Sequence, residues 1–278
     1  MADARPLAEL PEDWSSALAV VAHPDDMEYG ASCAVARWTA QGKTVRYLLA
    51  TRGEAGMDGL PPEQAGPLRA QEQWAACAAV GVRDLEFLDH PDGVIVDAMR
   101  LRREVAAAIR RHRPDVVITG THREIFGPGL FNMADHRVVG LAVLDAVRDA
   151  ANRWVFTDLT DADGVPLEPW SGVRFTAING SSEASHAVDI TDSIDAGIAS
   201  LEAHRAYLDG LGGHAPDPGE MLRMFAGFGA SRFGGRLCAT FEVIGLPIRF
   251  GESGPEPAQN EPAQNEPVQN VTGSDSRP

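Results

Sequence analysis

The chain has 278 residues, 24 Lys+Arg against 40 Asp+Glu for a net charge of −16, and a 44% hydrophobic share. That length holds one large domain or two small ones with a sizeable core. The negative balance, with no run of Lys or Arg, argues against general binding to a phosphate backbone or an anionic membrane surface.

The N-terminal stretch MADARPLAEL has no cationic segment followed by an apolar run, so neither a signal peptide nor a membrane span is expected. Residues 16–22 (SALAVVA) read as a buried strand, 30–41 as a helix stopped at Gly42, and 44–50 (TVRYLLA) as a second strand. A Gly/Pro-rich loop over 51–66 precedes a helix over 67–80, with Pro67 in its first turn and Gly81 after its end. A short strand over 85–88, an arginine-rich amphipathic helix over 99–112 and a buried strand over 115–119 (DVVIT) follow. An irregular stretch over 120–133 leads into a helix over 134–151. Strands over 173–177 and 187–190, a helix over 192–208 capped by Asp192, and a late strand over 238–245 complete the body, with a flexible loop around 227–235.

The β-α-β-α alternation of the first ~150 residues predicts a single Rossmann-like α/β domain, with a mostly parallel sheet and helices on both faces. The domain is expected over residues 1–250. Residues 251–278 contain the repeat EPAQN-EPAQN-EPVQN, which has almost nothing apolar to bury, and are expected to form a disordered acidic tail. Cys33, Cys77 and Cys238 are far apart with no CxxC spacing, which fits a reducing, cytoplasmic setting. No GxGxxG or P-loop follows the first strand, so no nucleotide site is expected.

The chemistry concentrates in two stretches. Ala22-His23-Pro24-Asp25-Asp26-Met27-Glu28 directly follows the first strand, at the sheet end where open α/β folds bind ligands. His23 and Asp26 can converge on one zinc ion, while Asp25 beside them takes a proton from metal-activated water. The plainer alternative is that the two carboxylates cap the next helix. The second stretch, Asn132-Met133-Ala134-Asp135-His136-Arg137, opens the helix after DVVIT. His136 there completes a two-His, one-Asp set with a coordination position open for water and substrate. A DH pair alone reads equally well as a helix cap.

AHPDD after the first strand, with a late DH at a helix start, resembles the PIG-L/LmbE-like zinc-dependent de-N-acetylases over roughly residues 15–245. Thr51-Arg52-Gly53-Glu54, Arg69 with Glu72, HPDG at 90–93 and His204 in LEAHR are secondary matches. The resemblance implies a Rossmann-like hydrolase that removes an acetyl or other acyl group from an N-acetylglucosamine-type small molecule. It implies zinc on His23, Asp26 and His136, Asp25 as general base, and Arg69 and Asp92 at positions linked to the substrate. Two alternatives are an amidase acting on thiol-sugar (mycothiol-type) conjugates and a catalytically weakened metal- or sugar-binding protein. Oligomeric state is left open, with a homo-oligomer compatible.

One position departs from the family pattern H-P-D-H, whose first histidine is implicated in stabilising the oxyanion or protonating the leaving amine. Here it is Met133, and a thioether donates neither hydrogen bond nor proton. His122 is the leading substitute donor, with His186 and His204 as others.

Overall fold

The computed structural model describes residues 5–96, 98–126, 129–212 and 217–245. Strands β1 (Ala8–Glu9) and β2 (Ser16–Val21), helices α1 (Asp26–Gly30) and α2 (Ser32–Ala40), strand β3 (Thr44–Leu49), helix α3 (Pro62–Ala79) and strand β4 (Asp84–Phe87) come first. Helix α4 (Ala98–His112), strand β5 (Val116–Gly120), a small antiparallel pair β6 (Ile125–Phe126) and β7 (Leu130–Phe131), and helix α5 (Ala134–Ala151) follow. The remainder is β8 (Phe175–Asn179), β9 (His186–Asp189), helices α6 (Ile194–Glu202), α7 (Arg205–Gly210) and α8 (Pro218–Phe228), and β10 (Cys238–Gly245).

Eight strands form one sheet in the order β1-β9-β10-β8-β5-β2-β3-β4. From β4 through β8 every neighbouring pair is parallel, and β10 runs antiparallel to both β8 and β9. The chain starts the parallel part at β2, builds outward to β3 and β4, then crosses back to lay β5 on the other side of β2. Strand order therefore reverses between β2 and β5, and the crevice outside their carboxyl ends is the ligand position of an open α/β sheet.

Both faces of the sheet are covered. Ala17, Ala19 and Val21 of β2 join one apolar cluster with Trp38 of α2 and Leu201 of α6. Leu18 and Val20 join another with Leu101 and Val105 of α4 and Val143 of α5. Burial on both sides explains why 16–22 is an unbroken apolar run rather than an alternating one. Each fully buried Leu, Ile or Val contributes about 1.5–3 kcal/mol. Helix α6 approaches α2 at Gly197, where an added Cβ would lie 2.2 Å from Cys33 Sγ.

Several sequence expectations need correction. The helix expected over 30–41 is α2 (Ser32–Ala40), and a break at Ala31 (φ −133°, ψ −2°) separates it from the short α1 before it. Helix α3 begins earlier than 67, because Pro62 supplies the pre-set first turn; Pro67 lies inside the helix, where it costs one backbone hydrogen bond. The helix expected over 192–208 is divided at Ala203–His204, and its N-cap is Ser193, not Asp192. That break accompanies the complete burial of His204, whose Nε2 stands 3.6 Å from Glu28 Oε2. The loop expected around 227–235 is partly the end of α8 and a 3-10 turn over Ala230–Arg232. The chain divides into Met1–Leu246 and Pro247–Pro278; the expected disordered tail lies outside the described residues. Among the described residues no helix is long and apolar enough to cross a membrane.

Candidate metal centre and active site

The turn after β2 carries the first set of groups. Asp26 does not cap α1. Its Oδ2 accepts the backbone N–H groups of Ala22 (3.0 Å) and His23 (2.9 Å). The turn is thus tied to its own carboxylate, and Oδ1 is left pointing at His136 Nε2, 3.0 Å away. His136 lies in the first turn of α5. Its Nδ1 meets Asn132 Oδ1 at 3.0 Å. Both donors of the fully buried Asn132 amide are used, on the carbonyls of Thr121 and Arg123 at 2.8 Å each. Asn132 therefore presents its oxygen to His136, and Nδ1 of that ring carries the hydrogen.

His23 is fixed in the same way from the opposite side. Its Nε2 lies between Asp92 Oδ1 (3.0 Å) and Asp135 Oδ2 (3.3 Å), so it carries a hydrogen. Asp135 is braced in turn by the N–H groups of Gly93 (2.7 Å) and Ile95 (3.1 Å). The two remaining ring nitrogens, His23 Nδ1 and His136 Nε2, face each other at 3.2 Å. In the neutral rings each presents a lone pair, and a proton or a metal cation between or beside them relieves that arrangement. In a tetrahedral zinc site, Zn–N bonds of ~2.0–2.1 Å place neighbouring donors about 3.3 Å apart. The observed 3.2 Å between the rings and 3.0 Å from His136 to Asp26 fit that spacing. His23, Asp26 and His136 thus form a donor set suited to a metal ion.

The electrostatics agree. Burial works against charge on His23, but hydrogen bonds to Asp135, Asp26 and Asp92 outweigh it and carry its pKa up to about 12. Burial likewise opposes the Asp26 carboxylate, yet His136 and His23 hold it well below the usual carboxylate range. The cluster is built to contain positive charge.

Asp25 stands beside this set but is held from the other side. It is buried and adopts a left-handed backbone (φ 91°), a conformation Asp tolerates better than most residues. Its N–H donates to Gln73 Oε1 (3.1 Å), and its Oδ2 accepts from Arg69 Nη2 (3.0 Å). Tyr207 adds a hydrogen bond to the carboxylate. Burial raises the Asp25 pKa to about 6 against the pull of Arg69. Arg69 is itself buried. It donates to Pro24 O (2.6 Å) and Gly53 O (2.9 Å), and its guanidinium lies over the Tyr207 ring at 4.3 Å. Gly53 makes room for it: a Cβ there would fall 2.3 Å from Arg69 Nη1.

The structure therefore brings His23, Asp25, Asp26 and His136 together. It places Arg69 behind Asp25 and Asp92 behind His23, where Asp92 also accepts the Ala55 N–H at 2.8 Å. His122 packs against α5: an added Cβ on Gly140 would meet its Cβ at 2.9 Å. It is not among the residues lining the crevice that Asp26, Thr121 and His136 share. His186 lies on β9, bonded to Ser185 Oγ at 2.8 Å. His204 is sealed against Glu28, whose Oε1 accepts from Gln73 (3.1 Å) and Ser200 (3.2 Å). Met133 is the N-cap residue of α5 and is 51% exposed. Sequence reasoning did not reach Asn132, Asp135, Gln73 or Tyr207. Asn132 and Asp135 stood within the quoted DH stretch, whereas nothing in the sequence ties Gln73 or Tyr207 to Asp25.

Fold and cluster together define a class: a doubly wound α/β protein that gathers two histidines and several carboxylates at the reversal point of a parallel sheet. Residues 18–147 match the family described as PIG-L, GlcNAc-PI de-N-acetylase. The diacetylchitobiose deacetylase of Thermococcus kodakarensis is 25% identical over 199 residues, covering 70% of this chain and 70% of that protein. The 1D-myo-inositol 2-acetamido-2-deoxy-alpha-D-glucopyranoside deacetylase of Thermobifida fusca is 29% identical over 189 residues, covering 58% and 60%. The solved N,N'-diacetylchitobiose deacetylase of Pyrococcus horikoshii shares the fold, with a TM-score of 0.73 at 22% identity over 84% of this chain and 85% of that one.

Proposed function

We propose that this chain is a zinc-dependent N-deacetylase that hydrolyses the acetamide of an N-acetylglucosamine-type small molecule, giving acetate and a free amine. The observation that carries the reading is the pair of opposed ring nitrogens at 3.2 Å beside Asp26, with the buried Asp25 held alongside. The named activities of the relatives support the acetamide as the bond attacked.

His23 Nδ1, Asp26 Oδ1 and His136 Nε2 would hold the zinc. When bound, zinc supplies a Lewis acid that polarises the amide carbonyl and acidifies water. Asp25 accepts a proton from the attacking water and returns it to the leaving amine. A carboxyl pKa raised to about 6 suits both halves of that exchange near neutral pH. Arg69 keeps Asp25 aimed and Asp92 keeps His23 in the tautomer that leaves Nδ1 free, so both act through a neighbour. The test is release of acetate and free amine from N-acetylglucosamine and its glycosides by zinc-loaded protein. Activity lost to a chelator and restored by zinc supports the reading; no hydrolysis across that panel refutes it.

A further inference from the structure

Asp25-Asp26-Met27-Glu28 has the D-x-x-E spacing of a capping box, in which the N-cap carboxylate takes the N–H three residues on and the glutamate reaches back to the N–H of the N-cap. Asp25 is the N-cap of α1, yet its carboxylate makes no capping bond. Its backbone is left-handed (φ 91°, ψ −20°) rather than the extended one of an ordinary N-cap. Gln73 stands where the box would close. Its Oε1 accepts the Asp25 N–H at 3.1 Å, and its Nε2 donates to Glu28 Oε1, also at 3.1 Å. One inserted amide thus replaces the direct bond from Glu28 back to Asp25.

The orientation of that amide is fixed from both ends. The Asp25 N–H requires an oxygen, and the two hydrogens of Nε2 then meet Glu28 Oε1 and Cys77 Sγ, the latter at 3.8 Å. Gln73 and Glu28 are both buried. Arg69, Gln73 and Cys77 recur every four residues along α3, so one helix face grips Asp25 twice. Arg69 holds the carboxylate at Oδ2, 3.0 Å away, and Gln73 holds the backbone. A left-handed backbone at a non-glycine residue persists only where its surroundings over-determine it. Glu28 Oε2 makes no hydrogen bond among the described residues, and His204 Nε2 is 3.6 Å from it. A buried carboxylate with one oxygen lacking a hydrogen bond joins helices poorly, since apolar residues of similar volume do so at least as well. Turning the Gln73 amide, in contrast, needs an acceptor at that point.

We propose that Gln73 is a positioning residue for Asp25: it holds the capping box of α1 open, so that the Asp25 carboxylate is kept off its own helix and free for the attacking water, and Glu28 acts on catalysis through the Gln73 amide. This rests on the reading of the chain as an N-deacetylase with Asp25 as its base. Without Gln73, the Asp25 carboxylate would be released to close the box on the Glu28 N–H, as D-x-x-E sequences ordinarily do.

Kinetics of the zinc-loaded full chain on one N-acetylglucosaminide test it, beside metal analysis and melting curves. Gln73→Met keeps the length of the side chain and removes its bonds to Asp25 and Glu28. It should lower kcat about tenfold to a hundredfold, with KM within about twofold of the parent and zinc content unchanged. In an Asp25→Asn background the same substitution should alter the residual rate by less than about twofold, because a residue that only aims the base has nothing left to aim. Gln73→Glu keeps an acceptor for the Asp25 N–H but sets a second carboxyl against Glu28. Adding Glu28→Gln again faces a donor with an acceptor and should recover most of the lost kcat; this pair carries the test if Gln73→Met does not fold. Parent-like kcat in folded Gln73→Met overturns the proposal, as does an equal loss with and without the Asp25 carboxylate, or an exchanged pair no better than Gln73→Glu alone. In each of those cases a hydrolysing parent leaves the deacetylase reading standing. A parent chain that hydrolyses no N-acetyl compound overturns that reading, and this proposal with it.

Discussion

Arg69 Nη2 stands 3.0 Å from Asp25 Oδ2 and 2.6 Å from the Pro24 carbonyl, so one guanidinium fixes both the carboxylate and the turn that carries it. Asp25→Asn is the clean replacement, since Asn also tolerates the left-handed backbone and keeps the shape of the side chain. It should retain zinc and fold while kcat falls ~10²–10⁴-fold. Arg69→Lys keeps a charge but loses the planar fork that reaches two acceptors at once. It should lower kcat about tenfold or more with zinc content intact. Metal analysis beside turnover checks both, and normal turnover in Asp25→Asn would move the base elsewhere.

Asn132 tests the argument that tautomers prepare the metal site. Asn132→Ala leaves His136 Nδ1 without its acceptor and the Thr121 and Arg123 carbonyls without donors. Zinc affinity should drop about 10–100-fold, measured by competition with a chelator of known affinity. Unchanged affinity would mean that α5 alone orients the ring.

How much of this was legible in the sequence depends on distance along the chain. The ends of α5 and β10 were readable because periodicity and flanking breakers are local. So were His23, Asp26 and His136, because each sits just past a strand or at a helix start. Helix α8 carried an unread signal: Asp217 before Pro218 is an N-cap followed by a first-turn proline, and Asp217 Oδ1 accepts the Glu220 N–H at 2.9 Å. The break at Ala203–His204 had no local signal, because LEAHRAYL fits a continuous helix; burial against Glu28 decides it. Arg69 and Asp25 are 44 positions apart, and no pattern in one chain links them. The same holds for Asp92, whose Oδ1 stands 3.0 Å from His23 Nε2: the partners of Arg69 and Asp92 within the site were not legible.

Glu12 gives a pH prediction away from the metal set. Burial opposes its charge, but hydrogen bonds from Arg37, Gln41 and Trp38 outweigh it and lower its pKa below the ordinary 4.5. A carboxyl depressed on folding adds stability that is fully present above pH 4.5 and is lost as pH falls through the lower folded value. Glu12→Gln should therefore cost on the order of 1 kcal/mol at pH 7, and the gap should close as both proteins are acidified. Melting temperatures of the pair between pH 7 and pH 3 check it. A gap that persists at the acid end would assign Glu12 a packing role.

Met133 decides whether this site lacks a donor or has another one. A preorganised donor to a developing oxyanion is commonly worth ~2.7–4 kcal/mol, and a thioether stands at 133, where the sequence resemblance implies a histidine. His122, the expected substitute, is packed against Gly140 and does not line the crevice. His122→Ala should accordingly leave kcat within about twofold, well under the ~1.4 kcal/mol that a tenfold change represents. Met133→His places an imidazole at the N-cap of α5, three residues before His136. Position 133 is half exposed, so the new ring should recover only part of a preorganised donor's worth, raising kcat about tenfold. Zinc content and KM should stay near the parent values, because the gain is made in the transition state and not in the bound substrate. Steady-state kinetics on one N-acetyl substrate measures all three quantities. A silent Met133→His would point to Thr121 or Tyr29, which do line the crevice with hydroxyl groups, and their substitution would then be the one that slows turnover.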